Sequence, residues 1–134
     1  MISPARMRWS EVLLPTGLRW IGIFLGAITV QLFLAIHEAL GDNWAMPGVI
    51  TERQTLITTG LYRWVRHPMY MTLYVWTAAY FLISANWFIG ASWLGLAVVA
   101  TIMTPEEEQA LTEKFGEAYR IYMIHTGRFL PKFR

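Results

Sequence analysis

Residues 68–105 read P-M-Y-M-T-L-Y-V-W-T-A-A-Y-F-L-I-S-A-N-W-F-I-G-A-S-W-L-G-L-A-V-V-A-T-I-M-T-P, with no charged side chain anywhere in the run. As one straight α-helix it would measure about 57 Å, nearly twice the roughly 30 Å of a bilayer's hydrocarbon core. Two shorter helices fit better, and Ser84, Ala85 and Asn86 supply the polar residues for a turn between them. The expected spans are 68–83 and 87–103. Upstream, residues 20–36 are also uncharged, and with their flanks they give a first span over 17–40. It is too long for a signal-peptide core and is read as retained. Gly22 and Gly26, like Ala91 and Gly95, are small residues spaced four apart, a spacing that lets helices approach closely.

Composition agrees with a membrane as solvent. The 134 residues are 55% hydrophobic, 15% aromatic and 15% charged, against roughly 25% charged in an average soluble domain. A net charge of +2 with scattered basic residues does not suit nucleic acid. The absence of cysteine excludes disulfides, thiolate metal sites and a cysteine nucleophile. The three histidines are too far apart in sequence to form a helical metal pair, so no metal is expected.

After the last span the pattern changes. Thr104-Pro105-Glu106-Glu107 has the form of a helix start, with Thr104 as N-cap, Pro105 at the first position and Glu107 completing a capping box. Leu111, Phe115, Ala118, Tyr119 and Tyr122 then recur at spacings of three and four, opposite Glu113, Lys114, Glu117 and Arg120. This predicts an amphipathic helix over 105–125, ended by Gly127. The fold class is therefore an all-α integral membrane protein, one domain over 1–134, with about three transmembrane helices plus this C-terminal cytosolic helix. Three spans place Arg6, Arg8 and Arg19 on one side and Arg53, Arg63, Arg66, Lys114, Arg120, Arg128, Lys132 and Arg134 on the other. The positive-inside rule makes the richer side cytoplasmic. The polar connection over 41–65, with Trp44, Tyr62 and Trp64, belongs at the headgroups of that side.

One stretch stands out at the mouth of the apolar run: T-G-L-Y-R-W-V-R-H-P-M-Y, residues 59–70. Pro68 fits the first turn of the second span with His67 as its N-cap. The positive end of that helix, beside Arg63 and Arg66, attracts a carboxylate or phosphate. Glu106, Glu107 and Glu108 face the same compartment and suit an ammonium, a ribose hydroxyl or a sulfonium. A cationic and an anionic pocket side by side, fringed by tyrosines and open toward lipid, suit a zwitterionic cofactor and an apolar substrate.

These residues carry a resemblance. G-L-Y-R-W-V-R-H-P-M-Y at 60–70, then E-E-x-x-L-x-x-x-F-G-x-x-Y-x-x-Y at 107–122, then Arg128 and Pro131, resemble the isoprenylcysteine carboxyl methyltransferase and phospholipid methyltransferase superfamily of membrane enzymes. L-G-D-N-W at 40–44 and L-I-T-T-G-L-Y at 56–62 also fit, so the match covers about residues 40–131. The resemblance implies S-adenosylmethionine as cofactor, without a metal, in a cytosol-facing pocket. It makes Gly60, Tyr62, Arg66, His67, Pro68, Tyr70, Glu108, Tyr119 and Tyr122 cofactor-binding, Glu107, Glu108 and Arg66 catalytic, and Arg128 substrate-binding. It implies a lipophilic or lipidated acceptor: a lipid amine, a small thiol or a prenylcysteine carboxylate.

Two features depart from it. The arginine that usually precedes the paired glutamates by a helical turn is replaced by A-T-I-M-T at 100–104, which weakens the case for a carboxylate acceptor. About three spans stand where better-known members have four or five, so either the pocket is smaller or a second copy, in a homodimer, completes it. Two other readings remain at this stage: a steroid-reductase-like membrane enzyme using NADPH, since such proteins carry a similar R-H-P-x-Y stretch, and a non-catalytic module that keeps the fold.

Overall fold

The structure, a computed structural model, describes residues 4–43 and 53–132. Trp44, placed at the headgroups on sequence grounds, lies outside these residues. Four α-helices follow one another: α1 (Thr16–Leu40), α2 (Pro68–Ser84), α3 (Trp87–Phe115) and α4 (Glu117–His125). Short 3-10 turns at Pro4–Ser10, Gly41–Asn43 and Gly60–Arg63 fill the connections. Among the described residues the extended pairing is limited to two isolated bridges, Glu11 with Asn86 and Val65 with Gly127.

Apolar character is turned outward. Phe24 is 70% exposed and Ile102 69%, with Leu34, Val98 and Val99 also on the surface. Exposed apolar area of this extent calls for a lipid solvent. α1 and α3 are long and apolar enough to cross a bilayer. α2, with 17 residues, is about 26 Å long, slightly under the roughly 30 Å of hydrocarbon.

α2 packs against both α1 and α3. On α1 the buried residues Gly22, Thr29 and Ile36 recur every seven, a seam facing an antiparallel neighbour. At its upper end α1 comes so close that a Cβ on Gly22 would lie 2.7 Å from Leu82 Cβ and 3.1 Å from the Ala79 carbonyl. One turn on, a Cβ on Gly26 would make only ordinary contacts of 3.8 and 3.9 Å. Between α2 and α3, Trp93 stacks on Tyr80 at 5.0 Å and on Trp76 at 6.4 Å, while Gly90 lies under Phe81. Ala91 and Gly95 face outward, and a Cβ on Gly95 would meet nothing within 4 Å; that pair takes no part in packing among the described residues.

The turn at residues 84–86 forms where the sequence placed it. Ala85 adopts the left-handed conformation at the end of α2. Asn86 caps α3 by accepting from the amides of Phe88 and Ile89, both at 3.1 Å. Its amide nitrogen donates to Ser10 Oγ at 2.8 Å, and Val12 N donates to the Ala85 carbonyl at 2.7 Å. These bonds tie the N-terminal arm to the α2–α3 turn.

The third span and the amphipathic helix are not separate elements, contrary to the expected start at Thr104. α3 runs unbroken through Pro105. Thr104 does not cap; it is buried, and its hydroxyl donates to the Ala100 carbonyl at 3.2 Å. Ala97, Ala100, Thr104 and Glu108 are all buried, at spacings of three and four, so one stripe of packing continues past the proline. The exposed Pro105 removes its own N–H from the ladder and crowds the Thr101 carbonyl, yet the helix continues past it. The chain breaks at Gly116 instead, whose φ of 58° a residue with a Cβ adopts only at a cost. The amphipathic pattern is thereby divided between the end of α3 and α4.

The α1–α2 contact gives a direct test. Gly22→Leu should destabilise the protein by about 1–3 kcal/mol through overpacking, seen as a lower unfolding temperature in detergent. Gly26→Ala should leave that temperature nearly unchanged.

Candidate functional site

Glu108 holds the site together. Its carboxylate is buried at the side of α3 that faces the start of α2 and the chain after α4. Arg66 Nε donates to Oε1 at 2.8 Å, His67 Nε2 lies 3.2 Å from the same oxygen, and Arg128 donates to Oε2 from Nε at 3.1 Å and Nη2 at 2.5 Å. An ionised carboxylate only accepts, so His67 Nε2 carries a proton. Arg66 also donates through Nη1 to the carbonyls of Met123, at 3.2 Å, and Thr126. It thereby satisfies carbonyls left open at the end of α4. Lys132 Nζ does the same for Met123 and Ile124, at 2.8 and 3.2 Å.

The backbone reinforces this arrangement. Arg66 N donates to the Gly127 carbonyl at 2.9 Å and His67 N to the Arg128 carbonyl at 3.1 Å, while Gly127 N donates to the Trp64 carbonyl at 3.3 Å. The chain after α4 thus lies alongside residues 64–67 like a short parallel strand. His67 occupies the N-cap position of α2 and Pro68 the first position, as the sequence predicts, although the His67 side chain makes no capping bond. It is turned to the glutamates.

Glu107 and Glu108 differ in situation. Glu107 accepts from Tyr70 Oη at 2.6 Å, lies 3.9 Å from His67 Nδ1, and its side chain stays 26% exposed against 7% for Glu108. His67 and Tyr70 stack with ring centres 5.4 Å apart. Glu107 lines an open pocket. One wall carries Arg66, His67, Tyr70 and Glu107; a second carries Tyr62, Tyr119, Tyr122 and Phe115; a third carries Leu40 and Gln54 to Ile57. Tyr122 Oη donates to the Tyr62 carbonyl at 2.6 Å. Asn43 accepts from the Thr55 amide at 2.5 Å and the Thr55 hydroxyl at 3.0 Å, which pins the third wall to the end of α1.

Burial raises the pKa of the Tyr62 and Tyr119 phenols well above the ordinary value, with neighbouring negative groups adding to the effect. It lifts Tyr122 to about 12. These hydroxyls are neutral donors across the physiological range. Arg128 is raised by its bonds to Glu108.

Of the residues singled out in the sequence, Tyr62, Arg66, His67, Tyr70, Glu107, Tyr119 and Tyr122 stand on the pocket wall. Gly60 opens a 3-10 turn and Pro68 is buried in the first turn of α2; neither lines the pocket. Glu108 and Arg128 lie behind the wall, engaged with each other. Sequence reasoning missed Asn43 and the wall from Gln54 to Ile57. Leu40, Asn43, Leu56 and Ile57 sit inside the two short matches at 40–44 and 56–62, which were the available signal; Gln54 lies outside both.

Apolar helices that open at one end on a charged, tyrosine-lined pocket define a membrane-type helical protein with a ligand site. Comparison with known proteins makes that class specific: a family model described as phospholipid methyltransferase matches residues 18–118, and the chain belongs to that family. It is similar to methanethiol S-methyltransferase of Pseudomonas deceptionensis, 34% identical over 125 residues, which cover 89% of this chain and 45% of that protein. It is also similar to protein-S-isoprenylcysteine O-methyltransferase of Homo sapiens, 29% identical over 126 residues, covering 92% of this chain and 44% of the relative. The chain thus spans less than half the length of these relatives.

The two glutamates are separable by stability. Glu108→Ala should destabilise by about 3–5 kcal/mol, because it leaves the buried Arg66 guanidinium without its counter-charge. Glu107→Ala should cost less than about 1 kcal/mol, in keeping with a partly exposed surface position. Thermal unfolding in detergent distinguishes them.

Proposed function

We propose that this chain is an S-adenosylmethionine-dependent methyltransferase unit that acts on a lipophilic, membrane-associated acceptor at the cytosolic face, with a thiol or amine favoured over a carboxylate. Family membership supports the reaction type. The observation that carries the acceptor class is the engagement of both site guanidiniums, Arg66 and Arg128, by Glu108. Most of the guanidinium N–H groups that could grip an acceptor carboxylate are thereby occupied. The departure at residues 100–104 points the same way, and one relative is named as a methyltransferase of a small thiol. In this reading α2 is the second of three spans despite its length, and the basic side of the chain is cytoplasmic.

The pocket residues suit the cofactor. Among the described residues, the buried side-chain polar atoms without a partner are Tyr119 Oη and Gln54 Oε1, and both residues stand on the pocket wall. Groups left unpaired in this way are costly unless a ligand completes them. Glu107 is the acidic side chain on that wall among the described residues, suited to the cofactor's positive groups, and the unpartnered Tyr119 phenol, a donor, suits its carboxylate. When bound, S-adenosylmethionine supplies a methyl group on a positively charged sulfur.

The chain's own contribution is positional. Alignment of the acceptor and exclusion of water by Leu111, Phe115, Tyr62 and Tyr122 supply most of the acceleration. Tyr70 holds Glu107 in place, and Glu107 takes the proton that a thiol or ammonium releases. Glu108 does not touch the ligand; it positions Arg66 and His67. Purified protein in detergent should transfer labelled methyl from S-adenosylmethionine to a hydrophobic thiol or a lipid amine faster than to a prenylcysteine carboxylate. Glu107→Gln should lower kcat at least about 100-fold, the scale of a lost general base. Absence of saturable S-adenosylmethionine binding, with binding of NADPH instead, would replace this reading with the reductase-like one.

A further inference from the structure

Below the pocket the faces of three helices line up. On α1 the positions 23, 26, 30, 33, 37 and 40 follow at spacings of three and four, as do 69, 73, 76, 80 and 83 on α2 and 93, 96, 100, 103 and 107 on α3, the spacing that keeps side chains on one side of a helix. At the upper end Leu40, Met69 and Glu107 line the pocket. At the lower end Ile23, Gly26 and Val30 of α1 face Trp76, Tyr80 and Ile83 of α2 across a second, apolar groove. Between the two, Phe33 meets Trp76 edge-on at 6.2 Å and His37 at 4.2 Å, while Trp93 of α3 stacks on Tyr80. α2 thus floors a trough, flanked by α1 and α3, that leads from Glu107 down into the apolar part of the molecule. The lower groove exists because α1 draws away from α2: a Cβ on Gly22 would lie 2.7 Å from Leu82, whereas one on Gly26 would have 3.8 Å to its nearest neighbour, Ile83. Residues 100–104, where the resemblance calls for an arginine, give the α3 flank Ala100 and Met103 instead, so it carries no charge below Glu107.

We propose that this trough holds the hydrocarbon chain of the acceptor, with the reacting end at Glu107 and the tail between Gly26 and Tyr80, and that Gly26 sets the longest chain accepted. The inference rests on the methyltransferase reading and adds to it the acceptor's class: a thiol or amine on one long alkyl chain. From Leu40 to Ile23 is about 26 Å along α1, whereas one leaflet offers about 15 Å of hydrocarbon. A chain confined to its own leaflet would leave the lower groove unfilled, and its lining would forfeit those contacts. A chain that reaches it gains burial with every added methylene. With no charge on the α3 flank, the chain runs up to Glu107 without desolvating one on the way.

Methylation of hexanethiol and hexadecanethiol, or of the matching alkylamines, tests the assignment when wild type and variants are compared in one detergent, because partition of each acceptor into the micelles then cancels. Gly26→Leu, which fills the lower groove, should cut the ratio of kcat/KM for the long acceptor over the short one by about tenfold or more, the scale of two buried methylenes. Ala27→Leu, at an exposed position on the same wall, should do likewise and decides the matter if Gly26→Leu does not fold. Gly95→Leu, on the outer side of α3 where a Cβ meets nothing within 4 Å, should keep the wild-type ratio. The inference falls if the folded groove variants keep that ratio or slow both acceptors equally; in either case turnover leaves the methyltransferase reading standing. If neither alkyl thiols nor alkylamines are methylated, both readings fall together.

Discussion

The site depends on one buried carboxylate. Glu108 brings three parts of the chain to one point: the approach to α2, the far end of α3 and the segment after α4. Val65, Tyr119 and Tyr122 are buried in the same region, and the charges fix how the segments meet. A buried carboxylate facing two guanidiniums and a ring N–H has its lone pairs accounted for, which is the condition under which an ion pair in a low-dielectric setting is tolerable. Arg66 extends the same network to the carbonyls that close α4. A helix of nine residues, too short to be stable alone, is thereby anchored through its end.

Adjacent positions on a helix point about 100° apart, and the paired glutamates use that angle. Glu108 points into the junction and is engaged; Glu107 points into the pocket and keeps a partly open carboxylate. One residue of displacement divides the junction from the pocket. The same division appears among the cations: the arginines that stood out as ligand-binding in the sequence hold the scaffold, and the pocket keeps an acidic side chain.

Much of this was legible in the sequence because lipid simplifies the pattern. Uncharged runs marked α1 to α3, Ser84 to Asn86 marked the turn, and His67-Pro68 marked the start of α2. Proline misled at position 105, since a local start signal could not reveal that Ala97, Ala100, Thr104 and Glu108 form one buried stripe. Gly116 was read as part of a motif, and nothing around it announced a positive φ. Long-range partnerships were the least visible: Arg128 with Glu108, and Gly127 beside Val65, join residues far apart in the chain. Gln54 matters through the wall it stands on, which no spacing rule encodes.

The continuity of α3 has a mechanical side. Its 29 residues make a rod of about 44 Å, longer than the roughly 30 Å of a bilayer's hydrocarbon core, clasped at one end by the Asn86–Ser10 bond and bearing Glu107 near the other. Glu107 stands about 30 Å from that clasp, so a tilt of about 5° sweeps its carboxylate through roughly 2.6 Å, comparable to the length of a hydrogen bond. A jointed helix would have absorbed such a movement at the joint. An unbroken one is a lever, and a bilayer whose thickness biases the tilt of a spanning helix would act on its long arm.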